Sequence, residues 1–301
     1  MPRPTDTLPP EVEYHRVLAD GKRRIGRGIL AIALLTGGLA LFTVVFSAAA
    51  AAADRALGTG GGSVYTPLMH TAGMVAIALL IPWSMFIQRW LYGVRGASLH
   101  SVVSRFRFDV FGRALLLVTP AWIAVLAVQY WTPLPQTVWA YTDVLWMLAA
   151  TFLLTPFQAA AEEYGFRGLV FRVAGGWTRG ARAGLVVGVL VSSAAFAAIH
   201  LSTDIRLNIW YLTFAVGTAL VTWRTGGIEI AVVLHASFNT LTFVFDAALR
   251  TDFSAALADP SSSGTVGILV PGVVIVITAL VVWLRTRRTG PVRTPGTATA
   301  P

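Results

Sequence analysis

Two adjacent carboxylates, Glu162 and Glu163, interrupt a long apolar run, and Arg167 follows four residues after the second. On a helix, positions four apart share a face, so Glu163 and Arg167 are placed to form an ion pair. Glu162 is turned about 100° from Glu163 and meets a different neighbour. The spacing therefore predicts two jobs: a structural Glu163–Arg167 pair, and a Glu162 carboxylate facing the bundle interior, where desolvation suits it to general-base work. The plainer reading makes all three one buried charge cluster that fixes helix packing. Further along, Phe196 lies one turn before His200 and can hold its imidazole by packing. Taken alone, a histidine in an apolar helix is more often a hydrogen-bonded packing residue. His235 and Asn239 repeat the four-residue spacing. An imidazole beside a carboxamide can donate two hydrogen bonds to an oxyanion, join a metal site, or simply tie two helices together. His70 and His100 have no such company and read as packing residues.

The elements that must carry these groups are membrane helices. Of 301 residues, 55% are hydrophobic and 12% charged, against about 25% charged in a soluble domain. A carboxylate at mid-bilayer costs about 2.5–3.5 kcal/mol on the insertion scale, so two side by side point to a use. Apolar runs long enough to cross the hydrocarbon core predict helices near 29–53, 67–88, 112–131, 143–174, 183–203, 207–223, 229–249 and 266–284. Lipid leaves helices or closed barrels as spanning forms, and these runs do not alternate like barrel strands. The expected fold class is all-α, a polytopic membrane bundle of about eight transmembrane helices. The three polar clusters sit at different depths along their helices, so convergence needs tilt or a kink, and Pro156 offers one.

Charge sets the expected orientation. With the N-terminus in the cytoplasm, nineteen of the 23 Lys and Arg residues fall in loops and tails on that side. Arg55, Arg206 and Arg250 fall on the other, and Arg167 stays in the membrane. This bias predicts a multi-pass protein of the cell membrane with both termini cytoplasmic. The net charge of +9 is then topological, and because the arginines are spread over helix ends, no nucleic-acid partner is expected. Trp83, Trp90, Trp177, Trp223 and Trp283 fall near one boundary and Trp131, Trp139, Tyr141 and Trp210 near the other, as aromatic belts would. The chain has no cysteine, which excludes disulfides, thiolate nucleophiles and Cys-ligated metals. The first apolar run lacks a cleavage pattern and reads as a retained anchor.

Composition divides the chain into a disordered cytoplasmic tail (1–27), scaffold helices (28–142), a polar-bearing core (143–250), a last transmembrane helix (251–288) and a second disordered tail (289–301). Residues 58–63 read as a plain connector. Residues 89–110, mixing Arg with Trp, Phe and Val, read equally as an interfacial amphipathic segment or a basic loop.

Together the clusters are more specific than any one of them. Glu162-Glu163-Tyr-Gly-Phe-Arg167, Phe196-Ala-Ala-Ile-His200 and His235-Ala-Ser-Phe-Asn239 fill every position of EExxxR, FxxxH and HxxxN, in that order, on three helices. In this the chain resembles the CAAX-protease and bacteriocin-processing (CPBP, Abi) family of intramembrane proteases, over roughly residues 145–248. The resemblance implies peptide-bond hydrolysis inside the membrane. The position of Glu162, helped by that of His200, would activate water; those of His235 and Asn239 would stabilise the oxyanion. Glu163 belongs with this catalytic set as well as pairing with Arg167, and Phe196 packs the site. Family members are commonly labelled metalloproteases, and Glu162, His200 and His235 are the candidate zinc ligands; a metal-free glutamate base serves equally. Expected partners are membrane lipid and a membrane-anchored protein or peptide substrate, with nothing selecting a prenylated one.

Other intramembrane protease classes lack their signatures: there is no HExxH, Ser192-Ser193 has no Gly-x-Ser-Gly setting, and Asp246 has no Gly-x-Gly-Asp setting. Asp246 is expected to pair with Arg250. The competing functions are an inert scaffold or bacteriocin-immunity protein of the same family, and a proton-coupled transporter. The first need not keep both carboxylate and oxyanion pair, and the second calls for repeats that are not visible.

Overall fold

The computed structural model describes residues 8–19, 24–59, 65–131, 136–137, 139–252 and 266–296. Among the described residues there is no strand, only three isolated β-bridges, and the fold is all-α. Eight spans are long and apolar enough to cross a membrane: Ile25–Leu57, Pro67–Tyr92, Phe108–Gln129, Tyr141–Gly175, Ala181–Ala198, Ile205–Thr225, Glu229–Leu249 and Gly267–Thr286. They fall where the apolar runs place them. Their outward faces are as apolar as their inward ones. On α4 (Phe108–Gln129), Leu116 and Leu117 are exposed while Trp122 and Leu126 are buried. Such helices suit lipid rather than water as their surrounding solvent.

The first span, α1 (Ile25–Leu57), ends on Gly58 in the left-handed conformation. The second is broken at Leu79 into α2 (Pro67–Ala78) and α3 (Leu80–Tyr92). Thr66 caps α2 by accepting the Met69 N–H at 3.0 Å, with Pro67 at the first helical position. The span that carries Glu162 and Glu163 starts as α5 (Tyr141–Glu163), continues as a π-helical stretch Tyr164–Val170, and closes as α6 (Phe171–Gly175). The Phe171 N–H bonds the Phe166 carbonyl, five residues back. The departure from α geometry thus begins one residue after Glu163, not at Pro156, which lies within α5. Insertions of this kind widen a turn and often accompany functional sites. The bundle is completed by α7 (Ala181–Ala198), α8 (Ile205–Thr225), α9 (Glu229–Leu249) and α10 (Gly272–Thr286). At Gly188 of α7 the helices meet without room for a side chain: an added Cβ would lie 2.8 Å from Phe171.

One end of the bundle is tied by polar contacts. Within 89–110, residues 93–107 form a connection with one short 3-10 helix, Gly96–Leu99. They fold beneath the bundle, with Ser101 and Val102 buried. There Val102 donates to the Gly226 carbonyl (2.8 Å) and Ile228 donates to the His100 carbonyl (3.0 Å). Arg107 forks onto the buried Glu229 through Nε–Oε1 (2.8 Å) and Nη2–Oε2 (2.7 Å).

The described parts of the tails correct the expectation of disorder. Tyr14 and His15 are fully buried, and the Tyr14 hydroxyl donates to the Leu99 carbonyl at 2.6 Å. The Arg172 guanidinium lies 3.8 Å from the Tyr14 ring centre and also bonds Ser98. Arg172, counted from sequence as a loop cation, is therefore buried. The two tails also meet: Val12 and Thr294 exchange hydrogen bonds, and Glu13 and Arg293 form a bridge. Polar composition concealed this because the ordering contacts are long-range.

Asp246 does not pair with Arg250. It accepts the Tyr130 hydroxyl at 2.6 Å, and Arg250 sits past the end of α9 in the left-handed conformation, off the face that carries Asp246.

Candidate active site

Three helices and one turn bring the polar clusters together. Glu162 lies on the last turn of α5, His200 in the turn after α7, and His235 and Asn239 one turn apart on α9. With Phe196 they line one cavity of about 170 Å³. Gln158, Trp210, Tyr211, Phe214 and Phe238 complete its wall. Larger apolar grooves elsewhere face outward and carry no comparable chemistry.

Each polar group is held from behind. Gln158, one turn before Glu162, donates a short hydrogen bond to Oε1 of that carboxylate and accepts one from the Asn239 amide at 3.2 Å. Oε2 of Glu162 is buried without a protein partner. Nδ1 of His200 lies 2.8 Å from the Phe196 carbonyl. A carbonyl only accepts, so Nδ1 carries the proton and Nε2 is the basic nitrogen of the neutral ring. Phe196 therefore positions His200 through its backbone as well as its ring, while Tyr211 stacks on the imidazole with ring centres 4.0 Å apart.

Glu163 and Arg167 stand behind the cavity wall. Both are fully buried, with Arg167 Nε 3.2 Å from Glu163 Oε2. The same Nε donates to Thr218 at 2.8 Å, and the guanidinium lies over the Phe196 and Phe214 rings at 4.1 and 5.2 Å. The other Glu163 oxygen is 2.8 Å from Nδ1 of His235. Glu163 thus links the arginine of one helix to the imidazole of another, and does not itself line the cavity.

Several residues of the site carry no sequence motif. Gln158 lies four residues before Glu162, a spacing that places it on the same face, but it is uncharged and passes unnoticed in an apolar run. Tyr211, Phe214 and Thr218 form an i, i+3, i+7 row on α8 that resembles ordinary packing. Trp210, expected in an aromatic belt, is buried against Phe214 and Phe238 instead.

The zinc reading finds no ligand set. Among the described residues no three His, Cys, Asp or Glu side chains, Glu162, His200 and His235 included, are grouped to hold a metal ion. Nδ1 of His235 is already taken by Glu163.

Residues 141–241, which hold all three clusters, match the family model of type II CAAX prenyl endopeptidase Rce1-like proteins. The matched stretch is about a third of the chain. The matched stretch begins at α5 and ends within α9, so α1–α4 and α10 lie outside it. A curated relative, the uncharacterized protein YyaK of Bacillus subtilis (strain 168), is 35% identical over 103 residues. That alignment covers 34% of this chain and 34% of YyaK, so the chain spans about a third of the length of the relative it matches. No solved structure matches the chain.

Proposed function

We propose that this chain is an intramembrane endopeptidase that hydrolyses peptide bonds of membrane-associated proteins or peptides, with Glu162 as general base. The observation that carries the reading is the common cavity. A buried carboxylate with one free oxygen, a basic imidazole nitrogen, a second imidazole and a carboxamide all meet in a space that fits one peptide group. Glu162, held by Gln158, takes a proton from water, assisted by Nε2 of His200. The resulting hydroxide adds to the scissile carbonyl carbon, and the carbonyl oxygen becomes an oxyanion. The C–N bond then breaks as the proton held by Glu162 passes to the departing nitrogen, giving an acid and an amine.

Asn239 can donate to the oxyanion directly through its amide. His235 is different: its Nδ1–H is committed to Glu163, so Nε2 donates only when the ring carries a second proton. The Glu163 carboxylate is the counter-charge in contact with it, and Arg167 fixes that carboxylate. Glu163 is therefore a positioning residue in this scheme. No step is routed through a metal.

The excess of cationic residues in 93–107, 176–182 and 285–296 supports a cytoplasmic placement of that end in the cell membrane. Residues 143–250 are assigned to catalysis, α1–α4 to scaffolding and α10 to a closing helix.

The test is a library of membrane-anchored peptides incubated with the protein in lipid vesicles, with products identified by mass spectrometry. Wild type should cleave at least one member, and Glu162→Ala and His200→Ala none. Cleavage retained by Glu162→Ala would refute the scheme.

A further inference from the structure

Hydrolysis consumes one water per bond, yet the cavity of about 170 Å³ has room for only a handful of waters at about 30 Å³ each. A peptide lying in it displaces most of them. Water then needs a route other than the one the peptide fills.

Two rows of polar residues mark such a route. On α5, Thr151, Thr155, Gln158 and Glu162 stand at i, i+4, i+7 and i+11; on α9, His235, Asn239, Thr242 and Asp246 stand at the same intervals. This spacing keeps each row on one helix face over three turns. The helices run in opposite directions, so the rows are matched end to end. Glu163, beside Glu162, bonds His235, and Gln158 bonds Asn239 at 3.2 Å. Thr151, Thr155, Thr242 and Asp246 lie toward the other end. There, α2 supplies a third wall: His70 bridges the Tyr65 hydroxyl (2.6 Å) and the Thr151 hydroxyl (3.2 Å), and its ring packs edge-on against Phe243 of α9. Tyr130 closes the row on Asp246.

Thr151 and Thr155 are fully buried, with Thr151 bonded to His70 and Thr155 to the Met74 sulfur. The Thr242 hydroxyl and Oε2 of Glu162 are shut away with no protein partner. An orphan hydroxyl and an orphan carboxylate oxygen on one seam call for a ligand that both donates and accepts, which is water. We infer that the α5–α9 seam, from Asp246 and Thr151 to Gln158, conducts water to Glu162 independently of the substrate's entry. The inference deepens the proposed hydrolysis and rests on it for its purpose.

The test separates water access from catalysis. Hydroxyl-radical labelling of the full-length protein in vesicles, in heavy-oxygen water, reads Met74, whose sulfur accepts from Thr155 at 3.6 Å. Its control is Met147, also buried (1% exposed against 7% for Met74) but set in an apolar cluster with Trp139, Val144 and Ala247. Met74 should take up heavy oxygen at least about fivefold faster than Met147, and the double variant Thr155→Val, Thr242→Val should abolish the difference. On a cleaved peptide, the same variant should lower kcat about tenfold with KM unchanged. Equal labelling of the two methionines in wild type, or wild-type kcat in the double variant, would overturn the inference. Selective labelling of Met74 in a protein that cleaves no peptide would sustain the water path and fail the protease reading instead.

Discussion

Glu229 and Glu162 are both buried carboxylates at helix ends, and they are treated in opposite ways. Both oxygens of Glu229 are taken by Arg107, which also lends its backbone N–H at 3.0 Å. Nothing remains for a ligand. Glu162 has one oxygen clamped by Gln158, no cation in contact, and the other oxygen unpartnered toward a cavity. The first arrangement joins the 93–107 loop to α9 and serves the fold. The second leaves capacity unused in the resting protein, which the proposed base role of Glu162 would draw on, at some cost in stability. The two carboxylates share burial and differ in having a free, fixed oxygen, the feature on which the proposed role of Glu162 rests.

Substitution should separate the two sharply. Glu162→Gln keeps the shape of the side chain and should lower kcat by about 10²–10⁴ while leaving the thermal midpoint in detergent unchanged or higher. Glu229→Ala leaves Arg107 without its partner and should cost about 3–5 kcal/mol of stability, read as a lowered midpoint. A Glu162→Gln protein that unfolds early while Glu229→Ala stays folded would erase the distinction. Asn239→Ala removes one oxyanion donor and should lower kcat by about 10²–10³ with a smaller change in KM.

The buried tail gives the comparison a pH test. His15 is held neutral by burial, its pKa lowered from 6.5, with the Ala181 carbonyl and Glu13 opposing that shift and Arg16 reinforcing it. A folded value below the unfolded one means the unfolded chain binds the proton first. The His15 contribution is thus fully present above pH 6.5 and is lost as pH falls through the depressed folded value. Acidification should release residues 8–19, seen as loss of protection from proteolysis, and His15→Phe should flatten that dependence. The smallest effect expected is at Asp204, which caps α8 by accepting the Arg206 and Leu207 N–H groups. Asp204→Ala should cost about 0.5–2 kcal/mol and leave cleavage nearly intact.

Much of this molecule was legible in its sequence because membrane helices obey few rules. Uncharged runs of sufficient length mark the eight spans, and four-residue spacings place Glu163 with Arg167 and His235 with Asn239. Other features depend on contacts between distant segments. Tyr14 looks like part of a polar tail until Arg172, Ser98 and Leu99 are assembled around it. The π-helical stretch after Glu163 is a hydrogen-bonding pattern, which residue composition does not specify. Gln158 and Tyr211 carry no signal of their own because neutral polar and aromatic side chains are common in helices; only their neighbours distinguish them. The Glu163–Arg167 spacing is local, whereas the second contact of Glu163, to His235, depends on the register of α5 against α9.

The central claim is that Glu162 takes the proton from the attacking water. Its most direct measurement is single-turnover cleavage of one membrane-anchored peptide by wild type and by Glu162→Gln, in the same vesicles and with equal amounts of folded protein. The account predicts cleavage by wild type and a rate at least about 10²-fold lower for the variant, with peptide binding unchanged. Comparable rates for the two proteins would contradict it.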